Sequence, residues 1–329
     1  MLLIDGRWKS VSGIGRYASE VISRLKLAHT NLNSNISPSS ALDIFSTQRL
    51  AARKEDIIYT PGFNVGITRA RQVITLHDMI HLSPRHRTRA KTAYYDFLVR
   101  PAAIKAGLVL TVSETSRAAI VEWLDNDDVE VVNAGNGCSE TFFNIGDRKL
   151  PSQAGNSYFL YVGNNKPHKN VSLLLDSLKT QRNFRLKIVS QDVEAIQLES
   201  KHKNVLDQID FITSIDDSAL ASLYRGAIAT LMPSTIEGFG LPAVESLASG
   251  TPVVYWRQCR AIHEIVGGHG IPINDIDKVD DMASAMSSLS AGNILIPRVS
   301  AAWIRDYNWA TVAKRVQDSL VSVQDGMNK

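Results

Sequence analysis

Pro233-Ser234-Thr235-Ile236-Glu237-Gly238-Phe239-Gly240-Leu241-Pro242-Ala243-Val244-Glu245 is the stretch on which the fold turns. The apolar run at 230–232 before it reads as a strand, and a glycine-bearing loop follows. Pro242 then sits where a helix starts, its fixed φ suited to the first turn, and Gly250 sits where one stops. A strand, a glycine loop and a helix make half of a βαβ unit. The N–H groups at such a helix N-terminus form a site for phosphate. Glu245 is expected in the first helical turn, with Glu237 eight positions earlier in the loop. Two carboxylates do not suit a site for a bare anion. They suit a ligand with phosphates and several hydroxyls, whose O–H groups donate to them. In the plainer alternative Glu237 caps the loop and Glu245 is a solvated acid favoured by the helix dipole.

Outward from this segment the same alternation recurs. Strand-like runs lie at 2–4, 42–45, 57–59, 73–76, 108–112 and 129–132, and again at 158–162, 186–189, 209–212, 230–232, 253–256 and 271–273. Helical periods separate many of them, for example at 171–179 and 218–227. This pattern predicts an α/β fold with parallel sheets covered by helices. Periodicity lapses between Cys138 and Asn156, so the expected domains are 1–150 and 151–300, with a helical tail at 301–329.

Bulk properties narrow the function. A chain of 329 residues suits two cores. A net charge of +3 argues against a dedicated nucleic-acid binder. Cys138 and Cys259 stand far apart, outside any zinc or redox spacing, and read as free thiols in a reducing compartment. The sequence opens directly on a strand-like run and carries no apolar stretch of membrane-spanning length. The expectation is a cytoplasmic enzyme.

Four further segments carry candidate chemistry. In Tyr161-Val-Gly-Asn-Asn-Lys-Pro-His-Lys169, a lysine precedes a helix after the first strand of the second domain, a place that suits a phosphate. Gly13-Ile14-Gly15 opens a helix, and with Ala18 it spells a G-x-G-x-x-A dinucleotide fingerprint. No strand-end acid supports that fingerprint, and a plain turn is its alternative. His77-Asp78 ends a strand, where open α/β sheets place ligands. Asp125-x-Asp127 and Asp275-x-Asp277 read as caps, with no metal site expected. The segment 84–105 carries Arg85, Arg87, Arg89, Lys91, Arg100 and Lys105 among aromatic and aliphatic residues. It reads as a solvated helix or as a surface for an anionic membrane.

The Pro233–Glu245 stretch, followed by Gly250-Thr-Pro-Val-Val, resembles the signature of family 4 retaining glycosyltransferases with the GT-B fold. The resemblance runs from about Gly13 to Trp309. It implies two Rossmann-like parallel-sheet domains facing each other across a donor cleft. It further implies that Glu237 grips the donor sugar and Glu245 the ribose, with Lys169 on the diphosphate. Gly13, Gly15, Gly238, Phe239, Gly240 and Leu241 would bring backbone to the donor, and His77 would face the transferred sugar. Asn164, Asn165 and Lys166 stand where many relatives carry an arginine. The implied substrates are a nucleotide-diphosphate sugar, GDP-mannose ahead of UDP sugars, and a glycan or lipid-linked acceptor. No cofactor or metal is expected, and membrane contact would be peripheral, through 84–105. The rivals are a non-catalytic phosphosugar-binding module and an NAD-dependent dehydrogenase.

Overall fold

The protein is described from a computed structural model covering residues 1–8, 13–33, 35–83, 87–143, 157–292 and 298–327. Its contacts form two compact units, residues 1–137 with 306–329, and residues 138–305. The boundary expected at 150 lies outside the described residues.

The first unit holds β1 (Leu2–Ile4), β2 (Thr30–Asn31), β3 (Ile57–Thr60), β4 (Arg71–Thr75), β5 (Leu108–Thr111) and β6 (Glu130–Asn133). They form one parallel sheet in the order β2-β1-β3-β4-β5-β6. β3 and β5 are buried at every position, as strands covered by helices on both faces should be. The order reverses between β1 and β3, so the loops after these strands diverge and open a crevice at their carboxyl ends.

That crevice is braced by a buried ionic cluster. Arg7 donates to Asp5 at 2.7 and 2.6 Å and to Asp43 at 2.6 and 3.0 Å. Arg49, wholly buried, reaches Asp5 at 2.9 Å and Gln72 at 2.8 Å. Asn64 Nδ2 donates to both aspartates at 2.9 Å, while its Oδ1 accepts from Trp8 Nε1 at 2.8 Å. The Trp8 ring lies across Gly62, where a Cβ would come within 2.5 Å of it. Burial raises the Asp5 pKa, but the hydrogen bond from Arg7 and the charge of Arg49 outweigh it and leave the carboxyl below its ordinary value.

This cluster also explains a misplaced strand. The run 42–45 is a 3-10 helix, Ala41–Phe45, started by Ser40 Oγ accepting from Leu42 N at 3.2 Å. Leu42 and Phe45 remain 67% and 61% exposed, and the residue drawn inward is Asp43. β2 was not foreseen, and its two residues are exposed. The expected tail helix is two helices, Ala301–Asp306 and Trp309–Met327, with Asn308 Oδ1 capping the second by accepting from Ala310 N at 2.8 Å.

The second unit holds β7 (Phe159–Val162), β8 (Leu186–Val189), β9 (Ile209–Ile212), β10 (Thr230–Met232), β11 (Val253–Trp256) and β12 (Gly270–Ile273). Its parallel order is β12-β11-β10-β7-β8-β9, so the first and fourth strands lie side by side at the reversal. Phe159, Leu174, Leu175, Ile188, Leu231 and Val254 fill the core beneath them.

Arg7→Met should cost on the order of 3–5 kcal/mol in urea unfolding at pH 7, because it leaves two buried carboxylates with a single buried cation, Arg49. The Asp5 pKa is lowered in the folded state, so its stabilisation is present above about pH 4 and lost as pH falls through the depressed value. The gap between Arg7→Met and wild type should therefore shrink on acidification. A gap that is constant with pH would show that these charges do not carry the effect.

Candidate functional site

β7 and β10 flank the reversal of the second sheet, and the loops leaving their carboxyl ends build the site. After β7, Tyr161 Oη donates to Asn164 O at 2.6 Å, and Asn164 Oδ1 accepts from Lys166 N at 3.3 Å. A 3-10 turn, Pro167–Lys169, leads through Asn170 at φ 48° into the helix Val171–Thr180. After β10, Thr235 N donates to His168 O at 2.7 Å and its hydroxyl donates to the same carbonyl at 3.3 Å. The two loops are thereby stitched together, and Lys169 Nζ meets Glu237 Oε1 at 2.6 Å with side chains 16% and 10% exposed. Such a pair is offset by its own desolvation and adds little to stability.

Gly240 follows at φ 111°, a conformation that L side chains rarely adopt, and caps the helix Leu241–Ala248. This helix begins one residue ahead of Pro242, so Glu245 belongs to its second turn and not, as expected, its first. That turn is buried. Glu245 is 6% exposed and accepts from Tyr224 Oη at Oε2, 3.0 Å away. The alternative of a solvated acid does not describe this residue. Tyr224 was not foreseen. Its helix, Asp217–Gly226, is legible from periodicity, but a buried tyrosine there looks like any core residue.

The charges shape their surroundings. Burial, followed by the Glu237 carboxylate, raises the Tyr161 pKa. Burial pushes the Cys259 thiol up to about 12, with Glu237 adding to the shift, so this neighbour stays protonated. Lys169, Glu237, Gly238, Phe239, Gly240, Leu241 and Glu245 thus share one end of one sheet.

Gly13, Gly15 and His77 belong to the first unit. Both glycines lie in the helix Gly13–Ile22, while residues 9–12 are outside the described set. His77 follows β4, and its Nε2 lies 2.9 Å from Pro61 O, just beyond β3. A carbonyl only accepts, so Nε2 carries the proton and Nδ1 is left as the acceptor. The ring meets Tyr17 edge-on at 4.9 Å, and Ser116 Oγ donates to His77 O at 2.9 Å. Desolvation lowers the His77 pKa against opposing contributions from the Pro61 carbonyl and Asp78.

The D-x-D triplets serve local structure. Asp125 adopts φ 45° at the end of the helix Glu114–Leu124, and Asp275 Oδ1 accepts from Asp277 N at 3.0 Å. In the basic segment, the helix Arg89–Tyr94 widens to a π turn, Tyr95–Val99, before the helix Arg100–Ala106. Pro101, which lacks an N–H, accounts for the loosened ladder. Arg100 donates to Leu124 O at 3.1 and 2.7 Å and Lys105 to Arg69 O at 2.8 Å. Arg87, Arg89 and Lys91 stay exposed with Phe97, and Arg85 lies outside the described residues. Among the described residues no helix is long and apolar enough to cross a membrane.

With this geometry in place, comparison with known proteins decides the family. Residues 144–317, more than half of the chain, match the family described as "Glycosyl transferases group 1". The chain belongs to that family. O-antigen chain mannosyltransferase B of Escherichia coli is 28% identical over 244 residues, covering 69% of this chain and 64% of that protein. Phosphatidyl-myo-inositol mannosyltransferase of Mycobacterium leprae (strain TN) is 30% identical over 225 residues, 63% of this chain and 57% of that one. The chain thus spans less than two thirds of the length of these relatives. Among solved structures, the lipopolysaccharide outer core galactosyltransferase WaaB superposes with a TM-score of 0.67 at 15% identity, over 98% of this chain and 99% of that one. WaaG, a glycosyltransferase involved in lipopolysaccharide biosynthesis, gives 0.60 at 14% identity, over 99% and 97%. The group 1 transferase therefore has the GT-B fold, with two six-stranded parallel sheets.

Proton NMR of the His77 ring should give a midpoint below 6.5, with the Nε2–H tautomer near pH 7. The depressed pKa makes folding oppose protonation, so stability should fall as pH drops below about 6.5. A midpoint above 6.5 would show that the Pro61 carbonyl and Asp78 together outweigh desolvation.

Proposed function

We propose that this protein is a retaining transferase that moves a sugar from a nucleotide-diphosphate donor to a hydroxyl of a glycan or lipid-linked acceptor. The observation carrying the reading is the Lys169–Glu237 pair at 2.6 Å, at the sheet reversal and next to the loop that starts the helix Leu241–Ala248. One ligand can satisfy both charges, with a diphosphate taking the lysine and a sugar hydroxyl donating to the carboxylate. Glu245 accepts from the ribose hydroxyls. Backbone N–H groups of Phe239 to Leu241 and the helix dipole favour the diphosphate as it departs. No metal is required in this scheme. Retention is accounted for by front-face attack, in which the leaving phosphate oxygen takes the acceptor proton and no protein nucleophile is needed. His77 accepts a sugar hydroxyl at Nδ1. The mannosyltransferase names of the relatives support mannose as the transferred sugar, and GDP-mannose is the donor we place ahead of UDP sugars. A non-catalytic phosphosugar-binding module would use the same side chains without turnover.

Transfer should proceed with GDP-mannose in excess EDTA and more slowly with UDP sugars. Activity restored only by Mg²⁺ or Mn²⁺, or a preference for UDP sugars, would overturn the corresponding part. Exposed Arg87, Arg89, Lys91 and Phe97 fit a peripheral contact with anionic lipid, which vesicle sedimentation detects and Gln at the two arginines should weaken. Equal sedimentation with neutral vesicles would refute the contact.

Glu237→Ala should lower transfer roughly 100-fold or more. It should leave nucleotide diphosphate affinity within a few-fold, because the freed Lys169 still meets the phosphates. Glu245→Ala should instead weaken nucleotide binding by about 10-fold. Interchanged effects in titration calorimetry and transfer assays would reverse the two roles.

A further inference from the structure

A carboxylate that accepts from two vicinal ribose hydroxyls must present both oxygens in one fixed plane. Glutamate is poorly suited to this unaided, because each of its side-chain torsions must be ordered when ligand binds. Here the ordering is already built in. Tyr224 Oη donates to Glu245 Oε2 at 3.0 Å, and Tyr224 is 0% exposed. The tyrosine is itself fixed twice. Its carbonyl accepts from Thr251 Oγ1 at 2.6 Å, and its ring meets Phe142 edge-on at 5.9 Å.

The chemistry of the donor matters as much as its position. A lysine against Glu245 would neutralise the carboxylate and compete with the ligand's hydroxyls. A phenol leaves the charge in place and occupies one acceptor direction of one oxygen. Glu237 meets the ammonium of Lys169, and Glu245 meets the phenol of Tyr224.

We propose that Tyr224 is a positioning residue that holds the Glu245 carboxylate in its ribose-accepting orientation and so sets the preference for nucleotides bearing the 2′ and 3′ hydroxyls. The proposal rests on the reading of Glu245 given above. Tyr224 is sealed from solvent, so its influence on a bound nucleotide runs through that carboxylate.

The test uses the full chain and Tyr224→Phe, with calorimetric binding of GDP, UDP and their 2′,3′-dideoxy counterparts. Wild type should bind the better ribonucleotide at least about 10-fold more tightly than its dideoxy form. In Tyr224→Phe that ratio should fall to within about two-fold, through loss of ribonucleotide affinity alone. A merely structural role would weaken both forms equally and leave the ratio intact, which overturns the proposal while sparing the Glu245 reading. A wild-type ratio near one overturns both. Tyr224→Met, which also lacks the donor, takes the same assay if the phenylalanine variant fails to fold. In a Glu245→Ala background Tyr224→Phe should leave the ratio unchanged, and any further fall would refute action through the carboxylate.

Discussion

The hydrogen-bonded adjacency of β7 and β10 is the constraint from which the second unit's chemistry follows. Leu160 N donates to Ala229 O at 3.0 Å, joining the first and fourth strands of a parallel sheet. Right-handed crossovers then carry the chain away in opposite directions, so the loops leaving these two carboxyl ends come together at the reversal. Lys169 leaves one strand and Glu237 the other, 68 residues apart in sequence, and only this adjacency brings them to 2.6 Å. Fold and site are here the same fact.

The first unit meets the same topology differently. Its reversal falls between β1 and β3, and the residues following them, Asp5, Arg7 and Asn64, are spent on one another and on Asp43 and Arg49. Opposite charges balance within the cluster, which makes burial tolerable and ties the irregular stretch 40–51 to the sheet. His77 stands one strand further along, held through Pro61 O and left neutral by desolvation. One unit thus sets a single ion pair beside its glycine loop, and the other gathers its ionic groups into a buried cluster.

Much of this was legible before any coordinates, for reasons that can be named. Eleven of the twelve strands among the described residues were foreseen because covered parallel strands are written as unbroken apolar runs. The exception, β2, has two exposed residues and no such run. The false strand at 42–45 failed for the opposite reason. Its apolar residues face solvent, and a single aspartate is recruited by Arg7 from 36 positions away. The donor-side candidates were visible because glycine, proline and acid spacing is local chemistry. Tyr224 was not, because its partner lies 21 residues on and the contact exists only after two helices meet.

The two glutamates of the signature show why spacing alone under-determines role. Both are carboxylates beside one loop, eight positions apart, yet one is paired with a cation and the other with a phenol. A cation pair exchanges readily for another anion and another donor, since both partners regain equivalent contacts from the ligand. A phenol held at its own carbonyl and ring has no such alternative, and its carboxylate stays where the helix has put it. In the proposed reading the first arrangement serves a group that releases and regrips a sugar in each cycle. In that reading the second serves a group that recognises the ribose of the donor.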